Sequence, residues 1–136
     1  YHFLSGRVVT GHRRGQQLGF PTANIASQTE VVPLNGIYAT LIQLKNKQWL
    51  SVSSIGVNPT FGDGPRTLES FILDFDGDIY GEWLKLSFVK RIRDERKFAT
   101  VKDLVAQMHD DVKQAKAAFN ELGLTSEENP QSNSSL

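Results

Sequence analysis

The chain contains no cysteine. That absence excludes disulfide scaffolds, cysteine nucleophiles, iron–sulfur centres and thiolate zinc sites, and it removes any argument for an oxidising compartment. Histidine is scarce, and His2, His12 and His109 are too scattered to form a metal triad. Charge of one sign is not in excess, with 15 Lys and Arg against 15 Asp and Glu. An overall electrostatic pull towards nucleic acid or an anionic membrane is therefore missing, while a local patch remains open. No apolar run approaches the ~18 residues of a membrane span, and no signal-peptide pattern opens the chain. What is present is 136 residues, 39% of them hydrophobic. This is enough for one domain with a real core and too little for a second of ordinary size. The expectation is a neutral cytoplasmic domain with no nucleic-acid or membrane partner. Residue 1 is Tyr and a strand pattern begins almost at once, as in a chain cut from something longer.

Residues 3–10 (FLSGRVVT) read as a first strand, and the next fifteen residues, rich in Gly with one Pro, read as a long ordered loop. Residues 31–36 (VVPLNG) form a turn. Residues 37–44 and 49–55 are β-rich runs joined by a hairpin connection over 45–48. Residues 67–75 and 79–89 are two further strands, with Asp76-Gly77-Asp78 as a tight turn between them. Short strands at this spacing without intervening helices argue for an antiparallel barrel or sandwich. The pattern then changes. Val101, Leu104, Val105, Met108, Val112, Ala115, Phe119 and Leu122 recur at steps of three and four, the signature of an amphipathic helix of about six turns. Thr100 stands at the N-cap position, Asp103 in the first turn and Gly123 at the stop. Residues 125–136 (TSEENPQSNSSL) are polar and read as a disordered tail.

Three stretches bear chemistry. Residues 11–24 (GHRRGQQLGFPTAN) hold glycines at a spacing of four, which free backbone N–H groups to face a ligand, and two arginines suited to phosphate. A Gly-rich loop between strands is also an ordinary structural feature, and neither GxxxxGK[ST] nor GxGxxG occurs. Pro21-Thr22-Ala23-Asn24 is more specific: a hydroxyl and an amide oxygen two residues apart can face one Mg²⁺ with its phosphates, or else satisfy their own backbone in a capped turn. In residues 67–75 (TLESFILDF) the period of two places Glu69 on one face with Phe71, Leu73 and Phe75. If that face is the barrel interior, Glu69 sits at its rim in a partly apolar setting that raises its pKa and suits a general base. Equally, Glu69 is a strand-end residue turned outward. Residues 74–85 fail as an EF-hand loop, since Ile79 and Lys85 occupy the positions that need Gly and Glu. Arg93-Asp94 lacks the rest of a protein-kinase catalytic loop. Residues 90–98 are mixed in sign and read mostly as a solvated connection, with one arginine able to face a ligand.

In order along the chain, GRVVTGHRRGQQLGFPTANI, LNGIYAT, SIGVNPTFG and LESFILDFDGDIYGEWLKLSFVKRIRDERKF, followed by the terminal helix, resemble the riboflavin kinase (flavokinase) family over residues 1–122. The likeness is greatest to the C-terminal kinase module of bacterial bifunctional riboflavin kinase/FAD synthetases. The resemblance implies an all-β six-stranded antiparallel Greek-key barrel with a C-terminal α-helix over residues 1–124. It implies transfer of the ATP γ-phosphoryl group to the ribityl 5′-hydroxyl of riboflavin, giving FMN and ADP, with Mg²⁺ as cofactor and an N-terminal FMN adenylyltransferase domain as natural partner. By position it assigns Thr22 and Asn24 as Mg²⁺ and phosphate ligands and Glu69 as the catalytic carboxylate, an inward residue at the barrel rim. It assigns Gly11, Arg14 and Gly15 to the loop over the nucleotide, Asn58 and Thr60 to a second nucleotide loop, and Arg93 and Phe98 to the segment closing over the flavin. Bacterial relatives often carry Gly at the position of Arg13 and a basic residue at that of Gln16, so the loop's charge falls to Arg13 or Arg14. A non-catalytic flavin-binding barrel is the alternative. A nucleic-acid-binding barrel of the OB type is disfavoured by neutral charge and the lack of a basic surface run interleaved with aromatics.

Overall fold

A computed structural model describes residues 1–9, 21–27, 33–57, 66–75 and 77–128. Six strands form the body: β1 (His2–Val9), β2 (Ala23–Ser27), β3 (Gly36–Leu44), β4 (Lys47–Val57), β5 (Arg66–Ile72) and β6 (Trp83–Arg93). Their lateral order is β3-β6-β1-β2-β5-β4, and pairing of β3 with β4 closes the ring. Every pair is antiparallel. The chain passes to a neighbour from β1 to β2 and from β3 through β4 to β5, and skips across the sheet from β2 to β3 and from β5 to β6. This is the Greek-key barrel that the resemblance implies.

Local chemistry sets the turns. Leu44 pairs with Lys47, so only Lys45 and Asn46 lie between the strands, both with positive φ (50° and 65°). That is the two-residue turn whose twist matches a hairpin, with Asn tolerating the left-handed region. Lys47 and Gln48, expected in the connection, belong to β4. β5 ends at Ile72 rather than at residue 75, because Asp74 turns the chain at φ 57°.

Three other elements depart from the sequence reading. β2 lies where a loop extends over residues 11–25 in that reading; its five residues carry one buried apolar side chain, Ile25, too few to register as a period of two. β6 runs over Trp83–Arg93 rather than residues 79–89. Its start is delayed because Gly81 N donates to Val8 O and Glu82 N to Ile79 O, making the Ile79–Glu82 stretch a turn docked on β1. Its end is extended because Lys90, Arg91 and Arg93 keep pairing with β3 through two register shifts. The expected tail also loses its first residues to structure: β7 (Glu127–Glu128) pairs with Gln48 and Lys47 of β4. Gln48 Nε2 donates to Thr125 O (3.1 Å) and Leu50 N donates to Ser126 Oγ (3.2 Å). β5 stops opposite Ser51, which leaves the first residues of β4 with unpaired backbone groups on that side, and residues 125–128 supply the partners. Residues 129–136 lie outside the described residues.

Both faces of the sheet are packed. Inside the barrel, Leu4, Ile42, Ile55 and Leu86 are at most 1% exposed and form one cluster with Val8, Ile25, Leu68 and Phe88. Four buried hydroxyls, Thr40, Ser51, Ser53 and Ser70, run through this lumen as a hydrogen-bonded chain. Outside it, Ala39, Leu41 and Leu73 pack against Ala115 and Phe119 of the helix α1 (Val101–Leu122). The helix begins and ends where its caps put it. Thr100 Oγ1 accepts from Asp103 N (3.1 Å), and Gly123 at φ 70° lets Leu124 N return to Phe119 O and Gly123 N to Asn120 O. No helix among the described residues is long and apolar enough to cross a membrane.

Candidate active site

The barrel's register brings distant residues into one row. Asn24 on β2 faces Glu69 on β5, Glu69 faces Ser54 on β4, Ser54 faces Ile37 on β3, and Ile37 faces Arg93 on β6. Partners across an antiparallel pair share a face, with Cβ atoms about 5 Å apart. Asn24, Glu69 and Ser54 are therefore neighbours on one surface. Thr22, just before β2, donates its hydroxyl to Glu69 Oε1 at 3.0 Å.

That surface is not the lumen. Along β5, Leu68, Ser70 and Ile72 point inward and are buried, while Glu69 and Phe71 alternate with them on the outer face. The expected companionship of Glu69 with Phe71 and Leu73 holds, on the face covered by α1. Phe75, expected with them, packs instead against the lumen cluster and Trp49, because the strand ends at Ile72 and Asp74 turns the chain. The inward rim position is thus corrected. Periodicity could not make this choice, because both faces of β5 carry apolar residues.

Between this outer wall and the helix lies a cleft of about 240 Å³. Thr22 and Glu69 stand on the barrel side; Val52 and Phe71 form its apolar floor; Leu104, Met108 and Val112 of α1 form the opposite wall; Glu95, Arg96 and Phe98 line the side reached by the chain leaving β6. Arg93 reaches the cleft already engaged. Its Nε and Nη2 donate to Oδ1 and Oδ2 of Asp111, each at 2.7 Å, and its Nη1 donates to Asp94 O at 3.0 Å. Phe98 stacks near two cations, its ring centre 5.7 Å from Arg93 and 5.1 Å from Arg96. Glu95 lies against β4 where Gly56 has no side chain; a Cβ there would collide with the Glu95 carboxylate. At the neighbouring edge, Arg91 donates to Asp94 Oδ1 (2.6 Å) and to Asn35 O (2.7 Å). The Asp94 bond first, and the Tyr38 hydroxyl after it, hold the Arg91 guanidinium above its ordinary pKa.

Of the residues singled out in the sequence, the structure brings together Thr22, Asn24 and Glu69, and puts Arg93 and Phe98 on the same cleft as Thr22 and Glu69. Asn24 adjoins Glu69 in register and is not on the cleft wall. Gly11, Arg14, Gly15, Asn58 and Thr60 lie outside the described residues. Leu104 and Met108 belong to the helical stripe that reads as core in the sequence, yet they face the cleft. Asp111 was missed altogether, although its position carried a signal: it is a carboxylate three residues after Met108 and four before Ala115, on the apolar stripe, where an unpaired charge is costly.

The donor set suits a hard cation. A hydroxyl has one proton and two lone pairs; Thr22 gives its proton to Glu69 and keeps its oxygen free to ligate, beside an amide oxygen and a carboxylate. Among the described residues no group of three or more His, Cys, Asp or Glu could cage a metal unaided. These residues therefore fit Mg²⁺ that retains waters and phosphate oxygens as its other ligands.

A barrel with a packed lumen, a helix on its outer wall and a hydroxyl–carboxylate pair at the cleft between them make a candidate small-molecule site on a six-stranded Greek-key frame. The family model for flavokinase, described as riboflavin kinase, matches residues 1–119, and the chain belongs to the riboflavin kinase family. It is 40% identical over 118 residues to the bifunctional riboflavin kinase/FMN adenylyltransferase of Haemophilus influenzae, covering 86% of this chain and 38% of that protein. It is 39% identical over 115 residues to the bifunctional riboflavin kinase/FMN adenylyltransferase of Pseudomonas fluorescens, covering 84% of this chain and 37% of that one. The chain thus spans under two-fifths of the length of these relatives. Among solved structures, the riboflavin kinase from Trypanosoma brucei superposes with a TM-score of 0.64 at 27% identity, covering 90% of this chain and 82% of that chain.

Proposed function

We propose that this chain is an ATP:riboflavin 5′-phosphotransferase, converting riboflavin and ATP to FMN and ADP. The observation that carries the proposal is the Thr22–Glu69 hydrogen bond at the edge of an apolar cleft between barrel and helix. Phosphoryl transfer asks little covalent work of a protein, so the rate comes from positioning and from neutralising charge. The apolar walls formed by Val52, Phe71, Leu104 and Met108 suit a flat ring system, with its polar chain directed towards Glu69. The Glu69 carboxylate, oriented by Thr22, accepts the ribityl 5′-hydroxyl proton as that oxygen bonds to the γ-phosphorus and the bond to the β-phosphate oxygen breaks, releasing ADP. Thr22 and Asn24 would hold Mg²⁺, which would supply neutralisation of the phosphate oxygens. The resemblance assigns Gly11, Arg14, Gly15, Asn58 and Thr60, which lie outside the described residues, to binding of the nucleotide phosphates. In the longer protein of which this would be the C-terminal part, an FMN adenylyltransferase domain precedes it and consumes the FMN.

Incubating the chain with riboflavin and MgATP and separating the flavins tests the proposal. FMN formed only when Mg²⁺ is present supports it. Riboflavin that binds and stays unphosphorylated points instead to a flavin-binding barrel without transfer, and no interaction with riboflavin refutes both.

A further inference from the structure

The helix α1 is fastened to the barrel unevenly. Its C-terminal half is pinned by Ala115 and Phe119, both buried against Ala39, Leu41 and Leu73. Its N-terminal half stands away from the sheet, with Leu104 and Met108 facing the cleft and Val101 exposed. At the boundary between the halves sits Asp111, 3% exposed, whose two oxygens each accept from Arg93. Gln107, one turn earlier, donates Nε2 to Oδ1 at 3.0 Å and steadies the carboxylate. Arg93 in turn holds Asp94 O and lies over the Phe98 ring. One guanidinium therefore ties together the last residue of β6, the 94–98 segment and the helix, the three walls of the cleft that are not barrel floor. A planar fork on a carboxylate fixes distance and orientation together, which a single contact does not.

We infer that Asp111 is a positioning residue that sets the width of the cleft through its fork on Arg93, and thereby governs affinity for the planar ring of the substrate. This rests on the proposed riboflavin kinase reading. The Arg93 cation is consumed internally, so its contribution to the site is geometric rather than that of a free charge offered to the ligand. The fork's hydrogen bonds run to Asp94, Asp111 and Gln107, none of them a residue proposed for Mg²⁺ or phosphate, so the effect is expected on riboflavin rather than on MgATP.

The test is Asp111→Asn in the whole chain, with riboflavin affinity read from quenching of flavin fluorescence and with steady-state kinetics. Losing a charge-assisted fork weakens riboflavin binding by about tenfold or more. The KM for MgATP stays within about twofold and kcat falls less than the riboflavin KM rises. Arg93→Lys keeps the charge and loses the fork, so it also weakens riboflavin binding, whereas Asp111→Glu retains a fork and recovers part of the affinity. Unchanged riboflavin affinity in Asp111→Asn and Arg93→Lys, or equal losses for riboflavin and ATP, would overturn the inference. If the wild-type chain binds no riboflavin, the proposed function falls, and the clamp is read separately by amide exchange. Asp111→Asn then speeds exchange in residues 94–98 and 101–110 while β1 and β2 are unchanged; identical exchange in those two segments refutes the clamp. If Asp111→Asn does not fold, Arg93→Lys supplies the same two readings.

Discussion

The hydroxyl chain in the barrel lumen gives a stability prediction whose sign and asymmetry follow from counting protons. Ser51 Oγ donates to the Thr40 carbonyl at 3.1 Å, which uses its only proton. The 2.5 Å contact between Thr40 Oγ1 and Ser51 Oγ must then be donated by Thr40, the 2.8 Å contact between Thr40 and Ser53 by Ser53, and the 2.6 Å contact between Ser53 and Ser70 by Ser70. Every proton in the chain thus points towards one backbone oxygen. Ser53→Ala removes the acceptor of Ser70, which is 1% exposed, and strands a buried donor at a cost of about 1–3 kcal/mol. Ser70→Ala strands no donor, because Ser53 still donates to Thr40; it loses one bond worth about 1 kcal/mol or less. In the double variant no orphaned donor remains, so it is less destabilised than the sum of the singles by about 1 kcal/mol. Urea denaturation with a constant m-value measures all four corners of the cycle. Equal costs for the two single variants, or an additive double, would refute the proton ordering.

Glu69→Gln keeps the hydrogen bond from Thr22 but removes the base, so turnover is nearly abolished with riboflavin binding intact; wild-type-like turnover would sink the assignment. Gly6→Ala drives a Cβ towards the Ala26 carbonyl oxygen and Ile25 Cγ2, at 2.8 and 2.6 Å, on the neighbouring strand β2. Prising them apart lowers stability by about 1–3 kcal/mol, measurable as a lower urea midpoint. Phe119→Ala, at a side chain 1% exposed, costs about 3–5 kcal/mol, whereas Met108→Ala costs far less and instead weakens flavin binding. Paired melts and fluorescence titrations separate the two effects.

What the sequence disclosed, and what it hid, divides along physical lines. The helix was legible to the residue at both ends, because capping is local: Thr100 and Gly123 act through hydrogen bonds within a few positions of themselves. The Glu69, Phe71 and Leu73 face was legible too, since a strand's alternation follows from backbone geometry alone. Which side of a closed barrel that face occupies was not, because it depends on where α1 packs, and the outer wall under a helix is as apolar as the lumen. β2 escaped because its partners β1 and β5, rather than its own composition, make it a strand. The fork on Asp111 links residues 18 apart in sequence, so only the apolar stripe it interrupts announced it.

The location of the site follows from the size of the frame. Barrels of about eight strands have interiors just wide enough for side chains to fill, and this one has six, packed with Leu4, Ile42, Ile55, Leu86 and a buried hydroxyl chain. Among the described residues the lumen is filled by these side chains, so the candidate site lies on the outer wall, and an outer wall needs a second surface to exclude water. The helix is that surface. Its apolar stripe does two jobs in sequence: Ala115 and Phe119 close onto the sheet and stabilise the fold, while Leu104 and Met108, four residues apart on the same stripe, face the cleft. A uniformly apolar stripe would let the whole helix collapse onto the barrel. The charged residue at the junction, Asp111, has its partner on the last residue of β6, so the helix is stopped at the distance an Arg–carboxylate fork requires.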